Sequence, residues 1–116
     1  MARRPSFETL SILRLMMQRP GADYYGLELA RAAEIATGTV YPILRRLERD
    51  GWVDSEWEDV DPSAAGRPRK RLYRLTERGA QETRSHLRRT RDILAPALEV
   101  QRGLVLGWTT SRTVTQ

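Results

Sequence analysis

The stretch TGTVYPILRRLERDGW, residues 37 to 52, carries groups suited to gripping a polyanion. Arg45, Arg46 and Arg49 are permanent cations with planar donor forks. Such forks meet phosphate oxygens, or guanine O6 and N7, through two bonds at once. Thr37 and Thr39 add hydroxyl donors, while Tyr41 and Pro42 add apolar surface that suits thymine methyls. Taken at about 100° per residue, Val40, Ile43, Leu44 and Leu47 fall on one side of a helix. Gly38, Pro42, Arg45 and Arg49 fall on the other, with Arg46 beside them. The pattern predicts a helix with one side in a core and a cationic side facing out. Pro42 fits because the first N–H groups of a helix have no partner within it. A start between Thr37 and Thr39 costs at most one bond. The competing reading is a solvated face on which Glu48 and Asp50 pair with the arginines.

The flanking segments must position this helix. Ser6 is a candidate N-cap for a first helix carrying Phe7, Leu10, Ile12, Leu13, Met16 and Met17, which ends at Arg19-Pro20-Gly21. A second, shorter helix runs through YGLELARAA, with Leu27, Ala30 and Ala33 on one side, and a tight turn over residues 34–37 follows. After Gly51, Val53, Ser55 and Trp57 alternate with Asp54 and Glu56, as in a strand. The loop EDVDPSAAGRP leads to a second strand, RLYRL, with Arg71, Tyr73 and Leu75 on one side. Thr76 can cap a fourth helix bearing Ala80, Thr83, Leu87, Leu94 and Leu98 along one stripe. Two short helices joined by a tight turn, then a hairpin, spell a winged helix-turn-helix. The expected fold is therefore mainly α with a small β-hairpin. Residues 1–75 form the winged helix-turn-helix domain, and residues 76–116 a long C-terminal dimerisation helix and tail.

The hairpin is lopsided in charge. Asp54, Glu56, Glu58, Asp59 and Asp61 precede Arg67, Arg69, Lys70, Arg71 and Arg74. Some of these pair across the strands. Those at the tip, Arg67, Arg69 and Lys70, are candidates for phosphates or the minor groove, shaped by Gly66 and Pro68.

Composition narrows the function. A net charge of +5 over 116 residues suits a polyanionic partner. The chain has no cysteine, hence no disulfide and no thiolate metal site. His86, the only histidine, lacks a carboxylate cluster at ligand spacing and reads as a surface residue, so no metal or other cofactor is expected. No apolar run reaches 18 residues and MARRPSFETL lacks a secretory stretch, so neither a membrane span nor export is expected, and the setting is cytoplasmic. With no Gly-rich phosphate loop and no nucleophile triad, an enzyme is not expected.

YGLELARAAEIATGTVYPILRRLERDGWV together with GRPRKRLYRLTERG resembles the PadR family of bacterial transcriptional regulators, over roughly residues 7 to 85. The resemblance implies a winged helix followed by a variable dimerisation region. It implies a mostly repressive role as a dimer on palindromic double-stranded DNA, released by small molecules or other signals. It implies that Thr39, Tyr41, Pro42 and Arg45 lie in the DNA-reading helix, that residues 67–71 form the wing, and that Tyr24 and Tyr25 lie near a phosphate. The short C-terminal region looks like the small subfamily with one long helix, which Pro96 kinks or ends. Homodimerisation through the first and fourth helices would use Leu10, Leu87, Leu94 and Leu98, and Trp108 is a candidate for an effector site or for anchoring the tail on the other subunit. The alternative function is a winged helix that binds a protein partner, which would lack steep salt dependence. The apolar stripe generates a prediction: replacing Leu94 and Leu98 together with Asp gives a monomer that binds a half-site weakly. Sedimentation checks it, and a variant that stays dimeric removes these residues from the interface.

Overall fold

The structure is a computed structural model that describes residues 4–93 and 96. Leu94, Leu98 and Trp108 lie outside the described residues. The chain divides into two compact units, residues 1–84 and 85–116.

The first unit opens with α1 (Phe7–Met16), capped by Ser6, whose Oγ accepts the Thr9 N–H at 3.2 Å. A short strand β1 (Asp23–Tyr25) runs directly into α2 (Gly26–Ala33). Glu34, in the left-handed region at φ 57°, turns the chain toward α3 (Thr37–Arg49). Strand β2 (Val53–Trp57), a four-residue helix α4 (Pro62–Ala65) and strand β3 (Arg71–Leu75) complete the wing. A further helix, α5, covers residues 77–93.

The core forms where three helices and the sheet bring their apolar sides together. α1 contributes Ile12, Leu13 and Met16, α2 contributes Leu29 and Ala30, and α3 contributes Val40, Ile43, Leu44 and Leu47. Trp52, Val53, Tyr73, Leu75 and Ala80 close it from the strand side. The stripe expected on α3 is the stripe that is buried. On α2 the expectation needs correction. Leu27 is exposed, and the buried residues are Gly26, Leu29 and Ala30. The helix starts at Gly26, and the i, i+3, i+4 set from that residue faces α1 and α3.

The expected hairpin is part of a larger sheet. β3 lies in the centre, with β2 antiparallel on one side and β1 antiparallel on the other. Tyr24 stands opposite Tyr73, and Val53 opposite Leu75. At three residues β1 is too short for its alternation to be legible in the sequence, and its tyrosines run without a break into a helical pattern. Only pairing with β3 makes it a strand. The wing loop also holds a structure that its composition hid. Asp61 Oδ1 accepts the Ser63 N–H at 3.0 Å, Pro62 sits at the first turn of α4, and Gly66 ends it at φ 69°.

The start of α5 belongs to the first unit. Thr76 Oγ1 accepts the Gly79 N–H at 2.9 Å and donates to the Gly51 carbonyl at 2.8 Å. Ala80 and Thr83 are buried. The first turns of α5, through residue 84, thus lie within the first compact unit. In the second unit, residues 85–93 are helical, Ile93 is 65% exposed, and Arg91 lies 3.8 Å from Asp92. Pro96 is itself helical. Among the described residues no helix is long and apolar enough to cross a membrane.

Gly79 sets how closely α5 approaches the strand. A Cβ there would lie 2.0 Å from the Trp52 carbonyl oxygen, which is backbone and cannot swing aside. Gly79→Ala is expected to destabilise the fold by about 1 to 3 kcal/mol. Urea unfolding measures this, and an unchanged midpoint would remove the contact from the packing account.

Candidate nucleic-acid interface

The first turn of α3 has no side-chain cap and no acidic residue, and its last turn carries Arg46 and Arg49. The positive end of the helix dipole is thus left unneutralised by its own chain. Thr37, Gly38, Thr39, Tyr41, Pro42, Arg45, Arg46 and Arg49 are all exposed. A Cβ on Gly38 would meet nothing within 4 Å, so the opening of the helix is bare. Pro42 lies inside the helix, five residues after its first, and removes one intrahelical donor on the solvent side.

The wing is organised around one carboxylate. Glu58 is buried, its side chain 7% exposed. It forms an ion pair with Arg67, accepts the Lys70 N–H at 3.0 Å and accepts the Tyr25 hydroxyl at 3.2 Å. Its own N–H donates to the Lys70 carbonyl at 2.9 Å. The Arg67 guanidinium is the largest influence holding the Glu58 carboxyl at about 2, and the Lys70 N–H and Tyr25 hydroxyl act in the same direction against the cost of burial. The same carboxylate pushes the Tyr25 hydroxyl up.

These contacts sort the basic residues of the wing. Arg67 turns inward to Glu58 and serves as a brace. Arg71 stacks on Trp57 at 5.0 Å, donates from Nε to Ser55 Oγ at 3.0 Å and lies 3.8 Å from Glu48. Arg74 bridges Asp23 at 2.7 Å and Glu56 at 3.3 Å. Pairing across the strands is thus real, and it spares two residues for the outside. Arg69 is exposed, with its Nε donating to the Val60 carbonyl at 2.8 Å. Lys70 is exposed and holds its ammonium 4.7 Å from the centre of the Tyr25 ring.

The two tyrosines expected near a phosphate separate. Tyr24 is 6% exposed, and its hydroxyl donates to the Leu15 carbonyl at 3.3 Å. It is a core residue because alternation in β1 turns it inward. Tyr25 faces a groove of about 430 Å³ that it shares with Tyr41 of α3 and with Arg69, Lys70 and Arg71 of the wing. Leu10 and Leu87 are half-buried. Sequence reasoning missed Glu58 and Trp57. Glu58 was one of five acids around the first strand and loop, and nothing in its neighbours singled it out. Trp57, 59% exposed, follows the strand alternation but lies beyond the end of the core.

A compact three-helix core, a small antiparallel sheet and an outward cationic third helix define a winged helix-turn-helix protein. Solved structures agree. The chain is similar to a transcriptional regulator homologue from Pyrococcus horikoshii, with TM-score 0.63 and 17% identity over 77% of this chain and 81% of that one. A PadR-like transcriptional regulator from Bacillus cereus gives 0.61 and 16%, over 80% and 88%. The PcaV transcriptional regulator from Streptomyces coelicolor gives 0.62 and 22%, over 94% and 79%. No curated protein gives a significant match. The transcriptional regulator PadR-like family matches residues 12–85, and the chain belongs to it. The protein is a DNA-binding transcriptional regulator, not an enzyme.

The Glu58 brace yields a pH prediction. Its carboxyl titrates at about 2 in the folded protein against an ordinary 4.5. Its contribution to stability is therefore complete above about pH 4.5 and is lost as the pH falls toward 2. Glu58→Gln should flatten this segment of the stability profile and loosen the wing. Thermal unfolding across that range measures it, and a parallel profile for the variant would contradict the brace.

Proposed function

We propose that the protein is a dimeric repressor that reads a palindromic operator. The observation that supports joint reading of DNA by α3 and the wing is their shared groove: Tyr41 in the first half of α3 and Arg69, Lys70 and Arg71 of the wing line the same concavity. A duplex that admits the opening turns of α3 into its major groove would present its backbone to the wing. Thr37, Thr39, Tyr41, Pro42 and Arg45 then meet base edges, while Arg46 and Arg49 lie further along the helix. Arg69 and Lys70 supply phosphate or minor-groove contacts, Tyr25 lies beside the backbone, and Arg67 and Arg71 hold the wing in shape.

Dimerisation through α1 and α5 would bring two α3 helices into successive major grooves, roughly 34 to 36 Å apart. Phe7 on α1 is 83% exposed and Ile93 on α5 is 65% exposed, apolar surface that a second subunit would cover. Leu10, Leu87, Leu94 and Leu98 complete the proposed interface. Release by a small-molecule effector is part of the same reading, with Trp108 the candidate contact. PcaV from Streptomyces coelicolor is known in complex with its natural ligand, which supports such a mechanism for this fold. The place of action would be the cytoplasm.

Selection of bound duplexes from a random pool tests the reading, with wild type, Arg45→Ala and Arg69→Ala side by side. The wild type should enrich an inverted repeat. Arg45→Ala should lose about 1 to 3 kcal/mol and relax one symmetric position. Arg69→Ala should weaken all sequences and lower the salt slope by about one. No enrichment by the wild type, together with salt-insensitive association, would point to a protein partner instead.

A further inference from the structure

Gly26 opens α2 and is buried. Its backbone does not need glycine, since the glycines at positive φ are Gly21, Gly51 and Gly66. Glycine is also a poor helix former. Space accounts for it. A Cβ on Gly26 would lie 2.5 Å from Tyr41 Cε1, 2.8 Å from Cζ and 3.0 Å from the hydroxyl oxygen. The far end of the Tyr41 ring therefore rests on the opening turn of α2, where any side chain would stand. Tyr41 itself belongs to the outward side of α3 and is 37% exposed. The ring reaches back across the gap between the two helices instead of projecting away from the protein.

We propose that Gly26 is a positioning residue for DNA reading: it seats the Tyr41 ring and so decides which atoms of Tyr41 a base pair meets. This rests on α3 being the DNA-reading helix. A tyrosine held by packing presents its contact without the entropy loss of ordering a free side chain. Pinned against α2, its ring also fixes the edge of the groove that holds Tyr25 and the wing residues. An added methyl at position 26 collides with the movable end of a side chain and not with backbone. The ring must swing, while the helices can stay in place. Gly26 thus differs from Gly79, where the obstacle is the Trp52 carbonyl.

The test compares wild type, Gly26→Ala, Tyr41→Ala and the double variant by selection from a random duplex pool, with melting temperatures recorded. Gly26→Ala should melt within a few degrees of wild type. It should change the enriched base at one symmetric position and bind the wild-type site roughly tenfold more weakly. Tyr41→Ala should lose preference at that same position, and adding Gly26→Ala to it should change nothing more. An unchanged motif in Gly26→Ala, or independent effects that add, overturns the proposal while leaving DNA reading intact. No motif from the wild type means that the DNA reading itself has failed, and the pair then sets no specificity. Proton NMR adds a readout free of DNA. The Gly26 Hα signals should carry a ring-current shift that disappears in Tyr41→Ala, and its absence in the wild type also overturns the proposal.

Discussion

Burial of one side of α3 is the constraint on which the other features depend. Val40, Ile43, Leu44 and Leu47 are each at most 6% exposed. Full burial of such side chains contributes about 1.5 to 3 kcal/mol apiece, before the cost of ordering the chain. Exposed ion pairs contribute about 0 to 1 kcal/mol. The arginines on the opposite side therefore do little to hold the helix. They are free to serve a partner because the apolar stripe fixes the orientation of α3 without them. A helix so oriented keeps Thr37, Thr39, Pro42 and Arg45 facing out as a set. Rotation by a single residue would drive Leu44 or Leu47 toward water.

The wing solves a different problem with different forces. It projects beyond the core, so apolar burial cannot hold its tip. A buried carboxylate does so instead. Glu58 draws in Arg67, the Lys70 N–H and the Tyr25 hydroxyl, groups from the far side of the loop and from β1. One charge left without its partner in such a place would be costly, and the several hydrogen bonds to Glu58 offset its desolvation. The fixed Glu58 in turn sets where Lys70 leaves the strand, and the Tyr25 ring beneath the ammonium steadies it. Excess cations at the tip are thus divided between braces and outward contacts.

Two glycines mark where a neighbour comes too close for a side chain. Gly79 admits α5 to the Trp52 carbonyl, and Gly26 admits the Tyr41 ring to α2. Both lie at first turns of helices, where the loss of helix propensity weighs least against a close approach. The third helix is thereby framed on both sides: by α2 through Tyr41, and through Trp52 and Thr76 by the start of α5.

The sequence by itself determined the helix order, the buried stripe of α3, the two strands of the hairpin and the cationic outward face. Each of these is a periodic pattern or a local cap, and both can be read within one segment. Ser6 and Thr76 cap as their neighbours imply because a cap acts over three residues. Tertiary structure decided the rest. β1 exists only because β3 pairs with it, and Leu27 yields to Leu29 because the face of α2 is chosen by α1 and α3. Tyr24 and Tyr25 part company because a strand sends neighbours to opposite sides. Glu58 emerges from five acids, and Arg67 is tied to it as an ion-pair partner, because burial and hydrogen bonding select among charges that look alike along the chain. Contacts between residues distant in sequence leave no periodic trace, so the composition of the wing was legible while the division of labour within it was not.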